Sequence, residues 1–422
     1  MIKYFTIENY RSIKNENILE FDANLENSVY VAHPMIGFAG ANASGKTATL
    51  QALTFVLWFM QHSFLRLDKN DKIPYEPFYT RQNLPSQFQL IFAQQSLVDG
   101  KEQIVDYEYQ LCLTSEQVLK EELHYYPNGK EELVYRREGN KVRFGDNVSP
   151  IETKDLRPNC SIVSFASQFA SQSIANACKD YRFYSNLSYK GFKEEDLEFS
   201  TLDFWLRNKE RKDKVQKLLK IADLGIENIY VQSSHENIKK LFQEIYEAKR
   251  EKPQLNEDNR IEESVISGIA KALEEENNRL FQLFFKHKLD NTLVDFSSDS
   301  ESAGTLQFLT VLYRILNALE KGSLLILDEI ELKLHQNLVA YLLGLFENPA
   351  ENKHNAQLIC SFHNTYFMEF LKPEQLWFAE KNEQGQTELF SASAFTDIKE
   401  LYKKDLELLY RVGRFGAKPR AI

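Results

Sequence analysis

With 422 residues, 43% of them hydrophobic, the chain is long enough for two or more cooperating cores, and no uninterrupted apolar run approaches the roughly 18 residues a membrane span needs. The formal net charge of −10 runs against a generic nucleic-acid binder, although a local basic groove can coexist with an acidic total. The opening MIKYFTIENYRSIK holds no signal-peptide core, and Cys112, Cys160, Cys178 and Cys360 lie far apart with no CxxC spacing; the expectation is a cytoplasmic protein with buried free thiols and, since the histidines show no ligand spacing either, no structural zinc.

From the N-terminus, Ile2, Tyr4 and Thr6, then Ile18, Leu19 and Phe21, predict a small antiparallel sheet over residues 1 to about 30. Met35-Ile36-Gly37-Phe38-Ala39 reads as a short buried strand. The next eight residues, Gly40-Ala41-Asn42-Ala43-Ser44-Gly45-Lys46-Thr47, fit the pattern G-x-x-x-x-G-K-[ST], and Thr47 to Gln61 continues as a helical pattern with Leu50, Leu53, Phe55, Leu57 and Trp58 as apolar positions. Strand, glycine-rich loop and helix N-terminus in that order make a phosphate cradle, because the glycines let backbone N–H groups turn inward at the positive end of the helix. Gly40, Asn42, Ser44, Gly45, Lys46, Thr47 and Ala48 are therefore candidate nucleotide-binding residues, with Lys46 reaching the β- and γ-phosphates and Thr47 offering a hydroxyl to Mg²⁺. The bland alternative is a glycine-rich turn that matches by accident.

From about Gln87 to Val148 several short strands follow (Phe88–Phe92, Ile104–Leu113, Leu123–Tyr126 and Glu132–Arg136), with Pro127-Asn128-Gly129 as a hairpin turn, predicting an antiparallel β-lobe. From about Val163 to Lys288 the pattern turns helical and charged. Lys239 to Arg250 and Ile261 to Lys288 read as long amphipathic helices joined by a polar linker at Pro253-Gln254-Leu255-Asn256, and the charge run Glu274-Glu275-Glu276 reads as a solvated face.

Residues 293 to 395 return to alternating strands and helices. Leu324-Leu325-Ile326-Leu327-Asp328-Glu329 has the form of a Walker B strand: a buried parallel strand ending in acid puts Asp328 at the carboxyl edge of a sheet, where it can hold Mg²⁺ through water or Thr47. Glu329, one residue on, is placed to polarise an attacking water. Leu358-Ile359-Cys360-Ser361-Phe362-His363 is an apolar strand ending in a histidine. An ordinary buried strand ending in a solvated acidic turn, and a structural histidine, are the plain alternatives.

With these residues in view the chain resembles the ABC-type ATPases of the SMC and RecF group, and within it the compact stand-alone ATPases of bacterial abortive-infection and anti-phage systems, including the overcoming-lysogenization type. Ile7-Glu8-Asn9-Tyr10-Arg11-Ser12-Ile13 is similar to the group's starting motif, which implies Arg11 and Ser12 as phosphate contacts; Asn42 matches the group's preference within the loop. Ser300-Glu301-Ser302-Ala303-Gly304-Thr305 resembles the ABC signature, implying that Ser302 and Gly304 contact ATP held by a second subunit, although an N-capped helix would read the same. His363 matches the switch histidine, and His335 the E-x-x-L-H continuation, assigned to structure or a dimer interface. Gln375 to Lys381 and Gly413 to Pro419 are similar to the endings of these ATPases, with no mechanism evident in the residues themselves.

There are departures. Ser-Ala-Gly-Thr replaces the transporter-style signature, Ile330-Glu331 occupies the D-loop position, and Gln168 is only a candidate for the metal-side glutamine. The chain ends at Ile422 without room for an appended Toprim nuclease, so the resemblance implies that nuclease or toxin activity comes from another polypeptide.

The expectation is therefore an α/β P-loop NTPase of ABC-ATPase type with an antiparallel β-lobe and an inserted helical lobe. Residues 1–160 would carry the first part of the ATPase core with the phosphate loop and β-lobe, 161–292 the helical lobe, and 293–422 the rest of the core. The resemblance implies ATP as substrate with Mg²⁺ held by Thr47, Asp328 and Gln168, Glu329, Lys46 and His363 as catalytic residues, a nucleotide-dependent homodimer and an effector protein as partners, and no membrane. A RecF-like role on DNA in repair or recombination is the competing expectation, and a nucleotide-binding scaffold without turnover a third.

Overall fold

The computed structural model describes residues 1–23, 31–98, 101–168, 174, 181–187, 199–221, 225–233, 281–290, 292–331, 334–395 and 405–416. By internal contacts these fall into two units, Met1–Glu194 with Arg314–Leu332 and Val339–Ile422, and Glu195–Tyr313 with Lys333–Leu338.

The first unit holds two sheets. One is antiparallel and seven-stranded, in the order β2-β1-β4-β5-β6-β7-β8. It comprises β1 (Ile2–Glu8), β2 (Asn17–Glu20), β4 (Ser86–Val98), β5 (Lys101–Leu113), β6 (Val118–Tyr125), β7 (Glu132–Glu138) and β8 (Lys141–Phe144). The N-terminal strands and the β-lobe, expected as separate pieces, are one continuous sheet, because Phe5 on β1 faces Leu19 of β2 on one side and Leu90 of β4 on the other. Asn128 (φ 55°) and Gly129 (φ 74°) make the turn between β6 and β7, as their residue types foretell.

The other sheet runs β16-β15-β3-β14-β13-β9. Five strands are parallel: β9 (Phe183–Ser185), β13 (Leu324–Leu327), β14 (Gln357–Ser361), β3 (Met35–Ala39) and β15 (Leu376–Lys381). β16 (Thr387–Ser391) closes one edge antiparallel to β15. β3, β13 and β14 are buried along their whole length, as strands covered on both faces must be, which accounts for their unbroken apolar sequences. Leu327 pairs with Cys360, and Cys360 with Gly37, so the three strands end at one edge and deliver there the loops that follow them.

Helix α1 (Lys46–Arg66) packs against β13 and β14 of the parallel sheet and against β1 of the antiparallel one. A helix covered on opposite sides cannot be amphipathic, and α1 buries Leu50, Leu53, Phe55, Val56, Leu57, Trp58, Phe59 and Met60 around its circumference. Phe55 is the hub, with ring contacts to Tyr10, Trp58, Phe59, Tyr75 and Phe88.

The second unit, where a helical lobe is expected, carries strands as well as helices. It contains α3 (Phe199–Leu206) and α4 (Lys209–Ile221), following the short α2 (Ile162–Ala166) of the first unit, but also an antiparallel sheet of β10 (Ile226–Ser233), β11 (Phe281–Leu289) and β12 (Thr292–Ser297). The C-terminal end of the expected Ile261–Lys288 helix is strand β11. Its residues alternate: Leu283 and Phe285 are buried on one face, while Phe284 stacks on Tyr230 of β10 on the other, a period of two where a helix would need 3.6. The remainder of that prediction, with Lys239–Arg250, the Pro253 linker and the Glu274–Glu276 run, lies outside the described residues, as do Cys178 and Ala417–Pro419. Helix α5 (Ala303–Lys321) begins in this unit, and α6 (Gln336–Glu347) and α7 (Leu406–Arg411) complete the helices used below. Cys112, Cys160 and Cys360 are free thiols, the last two buried. Among the described residues no helix is long and apolar enough to cross a membrane.

Candidate functional site

The loop after β3 turns sharply into α1. Gly40 (φ 143°), Ala43 (φ 60°) and Gly45 (φ 117°) take positive φ, and Gly45 is the N-cap of α1. Two of these positions are closed to a side chain: a Cβ at Gly40 would run into the Ala379 carbonyl, and one at Gly45 into the Thr387 side chain. Inside the turn Lys46 is buried, its Nζ donating to Gly40 O (2.8 Å) and Ala41 O (3.1 Å). Burial pushes its pKa below the usual lysine value, with Asp328, Glu329 and Glu331 pulling the other way. The Ser44 hydroxyl is buried with no hydrogen-bond partner among the described residues, and Asn42 is exposed at the tip.

The acidic end comes from β13. Thr47 Oγ1 donates to Asp328 Oδ2 at 2.7 Å across 281 positions of sequence. Ser361, the last residue of β14, donates its hydroxyl to Asp328 Oδ1 (2.5 Å) and accepts from the Glu329 N–H (2.8 Å). His363 Nε2 meets Glu329 Oε1 at 3.1 Å. Glu331 Oε1 accepts from the N–H groups of His363 and Asn364, so the residue expected at a D-loop position holds the histidine's own backbone.

Phosphate loop, Glu329 and His363 line one cleft of about 1100 Å³ together with Arg11, Ser12, Tyr75, Glu76, Pro77, Tyr79 and Gln82. Arg11 has φ 50°; its guanidinium bonds Gln51 on α1 and lies 3.4 Å from Glu76. Ser12 Oγ is 2.8 Å from Thr387 Oγ1, which in turn donates to Ser44 O at 2.8 Å. Buried Asn9 pins the far wall: its side chain accepts from Phe78 N and donates to Arg81 O, Leu84 O and Pro85 O. Tyr79 stands free on that wall, 83% exposed.

The remaining sequence candidates lie elsewhere. Gln168 is exposed just after α2, its amide donating to Ser167 Oγ, and it is not among the residues lining the cleft. Ser302 and Gly304 belong to the second unit; the Ser302 hydroxyl accepts from Thr305 N at 3.0 Å and caps α5, so the N-cap reading holds for the single chain. His335 accepts from Asn337 N and caps α6. Sequence reasoning missed Thr387, Ser361, Asn9, Tyr79 and Gln82. Asn9 and Ser361 stood in motifs already singled out, without a role assigned to either; Thr387, Tyr79 and Gln82 are lone polar residues whose neighbours are set by the tertiary fold.

Thr47 and Asp328 offer a hydroxyl and a carboxylate side by side, hard oxygen donors of the kind Mg²⁺ takes. Among the described residues there is no cluster of three or more His, Cys, Asp and Glu side chains that could hold a metal ion.

No curated protein matches the chain. Among solved structures, the SMC head domain from Thermotoga maritima is similar at 13% identity and a TM-score of 0.37, over 92% of this chain and 98% of that one. CbiO1 from Clostridium perfringens, part of the ABC transporter complex cbiONQ, is similar at 10% identity and a TM-score of 0.28, over 99% and 96%. The family model described as "AAA domain, putative AbiEii toxin, Type IV TA system" matches residues 35–369, from β3 past His363, and the chain is therefore a member of that family of P-loop ATPases.

Proposed function

We propose that the chain hydrolyses ATP in this cleft, and that ATP held between two copies acts as dimerisation glue which hydrolysis releases, a two-state switch controlling a partner effector in anti-phage defence. The observation that carries the reading is the meeting of Thr47 with Asp328 and of Glu329 with His363 at the mouth of the phosphate loop. Phosphoryl transfer asks mainly for positioning and charge neutralisation. Lys46 Nζ exchanges the carbonyls of Gly40 and Ala41 for β- and γ-phosphate oxygens, and the N–H groups at the start of α1 take the others. Thr47 and Asp328 would hold Mg²⁺, which when bound neutralises charge on the phosphates. Glu329 Oε1 orients the attacking water and takes its proton; His363, hydrogen-bonded to the same oxygen, senses whether the γ-phosphate is present. Ser302 and Gly304 of a second copy complete the pocket, and Arg11 turns from Glu76 to the phosphates.

The test is phosphate release by the purified chain with ATP and Mg²⁺, alongside sedimentation with and without nucleotide. Turnover together with an ATP-dependent increase in mass is expected. A calorimetric titration with no nucleotide uptake overturns the reading.

A further inference from the structure

Glu329 sits at φ 50°, a left-handed conformation uncommon for a residue with a long side chain. Adjacent carboxylates after a strand would ordinarily point to opposite sides of the chain, and here two neighbours hold the turn in another shape. On one flank is Asn186, which follows β9: its amide Nδ2 donates to Asp328 O (2.8 Å) and its Oδ1 accepts from Asp328 N (2.7 Å). That reciprocal pair ties both backbone polar groups of Asp328. On the other flank is Ser361, fully buried at the end of β14, which bonds Asp328 Oδ1 and the Glu329 N–H through one hydroxyl and accepts from Ile330 N through its carbonyl (3.1 Å). β9 and β14 are the two strands that flank β13, so the turn is gripped from both sides.

We propose that Asn186 and Ser361 are positioning residues for hydrolysis, a two-sided clamp that divides the work of the two carboxylates. Ser361 occupies Asp328 Oδ1 and leaves Oδ2 for the Thr47 side of the cleft; the held left-handed backbone delivers Glu329 Oε1 to His363. The proposal rests on the hydrolytic reading above and goes beyond it in assigning side chains that do not line the cleft.

The experiment compares Asn186→Ala, Ser361→Ala and Ser361→Thr with the wild-type chain. Steady-state phosphate release gives kcat and KM, calorimetry with a slowly hydrolysed ATP analogue gives affinity with Mg²⁺ and with a chelator, and melting temperature screens for folding. Loss of a residue that orients catalytic or metal-binding groups is expected to cost about 10- to 100-fold in kcat, with KM within roughly threefold. Ser361→Ala also shrinks the gain in affinity that Mg²⁺ gives, while Ser361→Thr, which keeps the hydroxyl, recovers most of both. The comparison is made among variants that stay folded at the assay temperature; Asn186→Ala and Ser361→Ala act on opposite flanks, so if one does not fold the other still decides. Variants that lose melting temperature but keep wild-type kcat and magnesium dependence overturn the clamp and leave a merely structural role. A wild-type chain that takes up no nucleotide overturns the hydrolytic reading and the clamp with it. One that binds without turnover overturns only the hydrolytic reading, and the magnesium arm alone then judges the clamp.

Discussion

Replacing Gly45 by alanine tests whether the phosphate loop is held open by the far end of the chain. Gly45 lies at φ 117°, where a side chain costs about 1–2 kcal/mol of backbone strain. The added methyl would also meet Thr387 Oγ1 and stand 2.5 Å from its Cγ2, an overpacking that typically costs about 1–3 kcal/mol. Together these predict that Gly45→Ala weakens ATP binding by about 2–5 kcal/mol, roughly 30-fold to several thousand-fold. The two terms separate in a double-mutant cycle. Thr387→Ala alone removes the hydrogen bond to Ser44 O and costs about 1 kcal/mol. Added to Gly45→Ala it takes away the two nearest atoms, leaves the residue 387 Cβ at 2.9 Å and does not relieve the backbone strain, so the double variant should recover part of the lost affinity and bind ATP more tightly than Gly45→Ala alone. Calorimetric titration of the four proteins, with melting curves beside it, makes the measurement. Additive losses, with no recovery in the double variant, would refute the claim that Thr387 shapes the loop.

Three further outcomes follow from the same geometry. Glu329→Gln keeps the shape of the turn but removes the proton acceptor; turnover should fall by about 10²- to 10⁴-fold while an ATP-bound dimer accumulates, and a wild-type rate of phosphate release would remove Glu329 from the mechanism. Tyr79, exposed on the cleft wall opposite the acids, offers a face for the base of the nucleotide; Tyr79→Ala should weaken ATP binding by about 1–3 kcal/mol and Tyr79→Phe should not, and equal affinities in a fluorescence titration would exclude stacking there. His33 is buried with Nδ1 unpartnered among the described residues, and burial holds its pKa below 6.5. Because the folded state resists a proton that the unfolded chain accepts, stability is whole above about pH 6.5 and declines as pH drops below it, by up to about 1.4 kcal/mol per unit, until His33 itself protonates. His33→Gln should reduce that slope in urea melts at pH 5 to 7, leaving the shares of His62 and of the Met1 amino group, whose pKa values burial also lowers; an unchanged slope would refute it.

The phosphate loop and the acidic strand were legible because their chemistry is local: a glycine pattern bounded by a buried strand and a helix, and four apolar residues before two acids. The strands β3 and β13 begin where the sequence places them, and α1 begins one residue before Thr47 but runs five residues past Gln61, to Arg66. The partners of those groups were not legible, because each is supplied by a tertiary neighbour that sequence spacing does not encode. Ser361 reaches Asp328 across 33 positions and Thr387 reaches Ser44 across 343. Strand β11 reads in sequence as the end of a helix because the charged, periodic sequence before it runs on into it, whereas its own side chains alternate with a period of two. Gln168, only a candidate in the sequence, is exposed after α2, where its amide donates to Ser167 Oγ.

The tail residues that had no evident mechanism acquire one from the parallel sheet. β15 lies beside β3, so the Ala379 carbonyl fills the space a side chain at Gly40 would need, and β16 carries Thr387 to Gly45 and Ser12. The hairpin therefore braces both glycines of the phosphate loop. Behind it Phe378 stacks on Tyr410 of α7 and on Phe415, and Gly416 (φ 68°) turns the chain past Glu380, with the acid 3.1 Å from where a Cβ would stand. α7 also reaches the other end of the cleft, since Thr365, two residues after His363, donates its hydroxyl to Glu407 (2.8 Å). One C-terminal segment thus packs on the brace of the phosphate loop and on the turn after the histidine that faces Glu329. Loss of the Phe415 ring should disturb both ends of the site together, lowering ATP affinity through the loop and turnover through the histidine. A Phe415→Ala variant that keeps its fold and changes neither would show the tail to be packing alone.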